Sequence, residues 1–146
     1  MRRLLIILLL ASALFPLTGC ADSQASALSV VDAEVMLAPP GVSVTAALMT
    51  VKNDSDQSIT IERIEAEDFE HVELHKTEVV DGTARMIAQK NLTIPAGGTL
   101  ELAHGGYHLM LYAPARGFAE GDVVKLTLYT SAGRISVNAP VKRLSL

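Results

Sequence analysis

Two histidines and two methionines carry the chemistry that this sequence suggests. His108 and Met110 stand in "YHLMLYA", where Tyr107, Leu109 and Leu111 fall on one side of a strand. Strand side chains alternate faces, so His108, Met110 and Tyr112 share the opposite side. His75 and Met86 flank "VVDG", a hairpin signal. A two-residue Asp81-Gly82 turn sets Thr77 opposite Met86, with His75 one diagonal away on the same face. A four-residue loop sets His75 opposite Met86. The period of two leaves both side chains on one face under either register.

Singly, each residue has a plainer use: methionine fills core gaps, and histidine is often a hydrogen-bonded surface group. Together, two imidazoles and two thioethers form a soft, neutral donor set. Calcium and magnesium take hard oxygen donors, and zinc prefers thiolate, imidazole or carboxylate. The set suits Cu(I), which accepts thioether sulfur and tetrahedral geometry. A blue-copper electron-transfer centre would require a cysteine thiolate. Cys20 is the only cysteine, and it lies outside the expected domain.

That cysteine ends a segment of another kind. Arg2 and Arg3 precede the apolar run "LLIILLLASALF", followed by "LTGC". This reads as a secretory signal over residues 1–19, too short to span a bilayer. "LTGC" resembles a bacterial lipobox, in which Cys20 becomes the lipidated N-terminus. Residues 20–28 then form the lipidated cysteine and a short polar tether, and residues 29–146 the domain. The expected location is the periplasm or cell surface, anchored to the membrane through lipid only. Ala21 after the cysteine favours the outer membrane if the host is Gram-negative. Loss of Arg2 and Arg3 changes 12 basic against 16 acidic residues to 10 against 16, a formal charge of −6. That balance argues against a nucleic-acid partner, which would require a clustered basic surface.

The elements that must position the four residues are strands. "VSVTAALMTV", "SITIERIE", "VELHKTEVV", "ARMIAQ", "LTI", "TLELA", "VVKLTLYT" and "RISVNAPV" are separated by Gly, Pro, Asn and Asp. Such spacing predicts one all-β domain, a sandwich or barrel. Only "IEAEDFEHV" suggests a helical turn. Aromatic residues make up 4% of the chain and tryptophan is absent, so the core must rest on Val, Leu, Ile and Ala. Met49 reads as core and Met36 as core or rim. Glu65, Glu67, Asp68, Glu70 and Glu73 gather around His71, a solvated acidic face or a docking patch for a basic partner.

The spacing His75, ten residues, Met86, 21 residues, His108, one residue, Met110 is the H-x10-M-x21-H-x-M pattern of the PCuAC family of periplasmic copper chaperones. "VELHKTEVVDG", "IPAGGTLEL", "GGYHLML" and "GDVVKLTLY" resemble that family too, and the likeness runs from about Ala46 to Val141. The resemblance implies a cupredoxin-like β-barrel, monomeric, in which His75, Met86, His108 and Met110 hold one Cu(I). It further implies delivery of copper to the CuA site of cytochrome c oxidase subunit II, alongside Sco-type assembly proteins. There are departures. His104, in "AHGGYH", stands where relatives carry proline, as a bystander or an auxiliary Cu(II) ligand. Ala84, in "GTARM", replaces a methionine common in relatives. The sequence closes on "KRLSL" without a His- or Met-rich tail, so no second Cu(II) store is expected. A copper-independent, lipid-anchored envelope or adhesion module is the competing reading. No nucleophile elbow or paired-carboxylate motif suggests an enzyme.

Overall fold

A computed structural model describes residues 27–143, and among them there is no helix. Ten strands account for most of the chain: β1 (Leu28–Met36), β2 (Val44–Asn53), β3 (Ile59–Ala66), β4 (Phe69–Val80), β5 (Thr83–Gln89), β6 (Leu92–Ile94), β7 (Thr99–Leu102), β8 (Tyr107–Pro114), β9 (Val123–Thr130) and β10 (Gly133–Lys142). Hydrogen bonding runs in the order β5-β4-β8-β7-β2-β1-β10-β9-β3-β6, and β8 also pairs with β2. One layer is β5-β4-β8-β7-β2-β1, the other is β10-β9-β3-β6, and a parallel pairing of β1 with β10 at Val35–Val141 joins them. The all-β architecture expected from the strand pattern is the one observed. β1 begins one residue earlier than expected, with Leu28 already buried. The expected signal segment and Cys20 lie outside the described residues.

The core is aliphatic, as the composition requires. Met49, Val51, Leu102, Leu109, Leu111, Leu126 and Leu128 are each at most 2% exposed. Fully burying such a side chain stabilises the fold by roughly 1.5–3 kcal/mol. The core can therefore hold the two layers together without a disulfide. Ile59, Ile61 and Ile64 are all buried although their spacing breaks a period of two. A bulge in the β3–β9 pairing between Ile61 and Arg63 corrects the phase, because an extra residue returns the next side chain to the inner face. Met49 is core as expected, and Met36 is half-buried at the rim.

Two turns decide open points. At the tip of β4–β5, Asp81 has φ 50° and Gly82 φ 74°, the left-handed pair that a two-residue hairpin turn demands. Thr77 therefore pairs with Met86, and His75 with Ala88, which selects the shorter of the two expected loops. The helical turn expected in "IEAEDFEHV" is absent. Glu67 and Asp68 form a tight turn that carries the chain from β3 in one layer to β4 in the other. Asp68 takes φ 66° there, and its carboxylate accepts a 2.7 Å hydrogen bond from Arg116 Nε, a contact 48 residues away that local propensity cannot anticipate.

Candidate metal centre

The outer face of β4, β8 and β5 collects the residues that the sequence singled out. Antiparallel β4 and β8 place His71 opposite Tyr112, Glu73 opposite Met110, and His75 opposite His108. Directly opposed residues have Cβ atoms about 4.5–5.5 Å apart, so each pair is in side-chain reach. The imidazoles of His75 and His108 meet edge to face with ring centroids 6.0 Å apart. Met110 follows His108 by two residues on β8 and so shares its face. Met86 lies on the next strand across from Thr77, on the same face and diagonal to His75. All four residues therefore share one sheet surface.

Their burial differs, and the reason is topological. β8 pairs with β4 only as far as Lys76–Tyr107, whereas β4 and β5 continue to Val80 and Thr83. The tip of the hairpin is thus a two-stranded ribbon projecting beyond the sheet. His108 is 6% exposed, the His75 side chain 13%, and Met86, out on the ribbon, 62%. Met110 is half-buried. The histidine pair is an inner element, and Met86 is an outer one open to solvent.

Hydrogen bonds orient both rings. Glu73 Oε2 lies 2.8 Å from His75 Nε2, and the Gly106 carbonyl oxygen lies 3.1 Å from His108 Nδ1. His75 Nδ1 is buried without a hydrogen-bond partner. Leaving a buried polar atom unsatisfied costs about 1–3 kcal/mol, and native structures rarely tolerate it without a purpose. The hydrogen bond from His75, and more weakly one from Tyr112, holds the Glu73 carboxyl below its ordinary range against the opposing effect of burial. Burial, with the Glu73 charge behind it, pushes the Tyr112 hydroxyl up. His71 stacks on Tyr112 with centroids 4.5 Å apart, which places it in this face but away from the His75–His108 pair.

His104 is exposed in the turn preceding β8, a turn closed by a hydrogen bond from the Gly106 amide to the Ala103 carbonyl. The acidic stretch is partly neutralised: Glu65 accepts from the Tyr129 hydroxyl and pairs with Arg63, and Asp68 pairs with Arg116. Sequence reading grouped Glu73 with these acids and missed its bond to His75. The signal was present, since Glu73 and His75 are two apart on one strand and so share a face. Among the described residues, no three His, Cys, Asp or Glu side chains converge as a metal site.

Known structures place this architecture. The copper-bound PCuAC domain from PmoF2 superposes with a TM-score of 0.68 at 18% identity, covering 81% of this chain and 94% of that one, a likeness of fold. The Cu(I) form of DR1885 from Deinococcus radiodurans aligns at 38% identity over 83% of each chain, with a TM-score of 0.64. The fold is thus the cupredoxin-like PCuAC type. A curated protein of Leifsonia xyli subsp. xyli, "Putative lipoprotein Lxx21020", is 34% identical over 98% of this chain and 92% of its own length. Residues 28–141 match the family described as "Putative lipoprotein LpqE-like", and the chain belongs to that family.

Proposed function

We propose that the protein is a lipid-anchored, extracytoplasmic carrier of Cu(I), its cargo held by His75, Met86, His108 and Met110. The observation that carries this reading is the cross-strand His75–His108 pair, with His75 Nδ1 buried and unpartnered and both methionines on the same face. An unpartnered imidazole nitrogen is an electron-pair donor awaiting an acceptor, and a metal ion supplies one. Two thioethers beside two imidazoles match the softness of Cu(I) and mismatch Mg(II) and Ca(II). The relative DR1885 has been solved in a Cu(I) form, which supports the same cargo here.

The contrast in exposure suits transfer. An ion held by an inner histidine pair and capped by a methionine at 62% exposure is reachable by an incoming ligand from the ribbon side. Exchange can then proceed by replacing donors one at a time rather than by unfolding. By its PCuAC resemblance, the recipient we propose is the CuA site of cytochrome c oxidase subunit II, with Sco-type proteins acting alongside. The "LTGC" lipobox supports anchoring at Cys20 on the extracytoplasmic side, in a Gram-negative host on the periplasmic face of the outer membrane. His104, exposed in the turn before β8, is a bystander or an auxiliary donor to Cu(II).

Competition of the metal-free protein against a Cu(I) chelator tests the reading. One Cu(I) per chain, with Zn(II) failing to displace it, is expected. A protein that leaves all copper on the chelator would instead be the copper-independent envelope module.

A further inference from the structure

We infer that Glu73 is a positioning residue that locks His75 in one tautomer, so that the two histidines offer a metal unlike nitrogens: Nδ1 from His75 and Nε2 from His108. The consequence for copper rests on the function proposed above, but the tautomers themselves are a property of the metal-free protein.

Donor and acceptor capacities fix both tautomers. An ionised carboxylate can only accept, so in the 2.8 Å contact between Glu73 Oε2 and His75 Nε2 the proton sits on Nε2. A neutral imidazole carries one N–H, and the lone pair therefore lies on Nδ1. That atom is the buried one that no protein group satisfies. His108 is set the other way. A carbonyl oxygen also only accepts, so Nδ1–H donates to the Gly106 carbonyl at 3.1 Å, and Nε2 keeps the lone pair. The Gly106 carbonyl is itself held in place, accepting from the Thr77 amide at 3.0 Å. Glu73 and Gly106 thus each occupy one nitrogen of a facing pair and leave the other nitrogen free. A carboxylate on the far nitrogen fixes the ring orientation and makes the near nitrogen a better donor. Glu73 contributes to binding without touching the ion.

The test is long-range proton–nitrogen NMR on the metal-free, imidazole-labelled protein in mildly alkaline solution, for the wild type, Glu73→Leu and Glu73→Gln. The wild type should show His75 as the Nε2–H form and His108 as the Nδ1–H form. Glu73→Leu removes the acceptor, so His75 should become a mixture of tautomers, and Cu(I) affinity should fall about tenfold to a hundredfold. Glu73→Gln keeps a carbonyl acceptor and should restore both the tautomer and most of the affinity. Adding Cu(I) to the wild type should move the Nδ1 resonance of His75 and the Nε2 resonance of His108. Normal Cu(I) binding with His75 as Nδ1–H, or with tautomers unchanged in Glu73→Leu, overturns the inference and leaves the copper carrier standing. No Cu(I) binding by a wild type whose tautomers are as described overturns the carrier, and with it the consequence drawn for the metal.

Discussion

Replacing Met86 with leucine separates a ligand from a packing residue, because the two roles predict effects of very different size. Met86 is 62% exposed on a ribbon that projects beyond β8, so little of its apolar surface is at stake in folding. Full burial of a methionine is worth roughly 1.5–3 kcal/mol, and about a third of that applies here. Leucine retains nearly all of it. The stability of the metal-free protein should therefore change by less than about 0.5 kcal/mol, read from urea denaturation with an unchanged m-value. Binding should respond otherwise. Disturbing a group that merely orients a ligand costs about 10–100-fold in metal affinity, and deleting a donor outright removes more. A loss of at least about a hundredfold, close to 2.7 kcal/mol, is expected. Chelator competition on the folded variant measures it. If Met86→Leu matches wild-type affinity, the hairpin contributes no donor, and the exposed methionine needs another explanation.

Three further outcomes follow from the same structure, and a fourth from the sequence. Leu109→Ala empties a site that is 0% exposed between the layers and should cost about 2–5 kcal/mol in chemical denaturation. Gly82→Val forces a β-branched residue to φ 74° at the hairpin tip; it should lower stability by roughly 1–2 kcal/mol and weaken Cu(I) binding by loosening the Thr77–Met86 register. Asp122 is held below its ordinary carboxylate range by the Ala119 amide and then by Arg116, so its contribution is present at neutral pH and lost as pH falls below about 4. The acid-unfolding curve of Asp122→Asn should accordingly be shallower there than that of wild type, and coincident curves would remove the carboxylate from the account. Cys20→Ser should release the protein from the membrane fraction, and retention would end the lipobox reading.

How much was legible in the sequence depended on the range of the cause. Alternation in "YHLMLYA" gave the face of His108 and Met110, because a strand's period is a local property. The "DG" turn left two registers open, and backbone torsions at Asp81 and Gly82 chose between them. The helical turn over 64–72 failed for the opposite reason. The acidic run favours helix locally, but its side chains are claimed by Tyr129 on β9 and by Arg116 in the loop after β8, and the chain changes layers there. The parallel joining of β1 to β10 was equally out of reach, since it closes over most of the domain. The unpartnered Nδ1 of His75 could not be read at all, because it depends on how a ring turns once Glu73 and His108 surround it.

The central claim is a mixed nitrogen–sulfur donor set for one copper ion. X-ray absorption at the copper edge of the Cu(I)-loaded wild type reports those donors directly. The account predicts two imidazole nitrogens and two thioether sulfurs, with one sulfur lost in Met86→Leu and one in Met110→Leu. A copper shell of nitrogen and oxygen alone, unchanged in both variants, would contradict it.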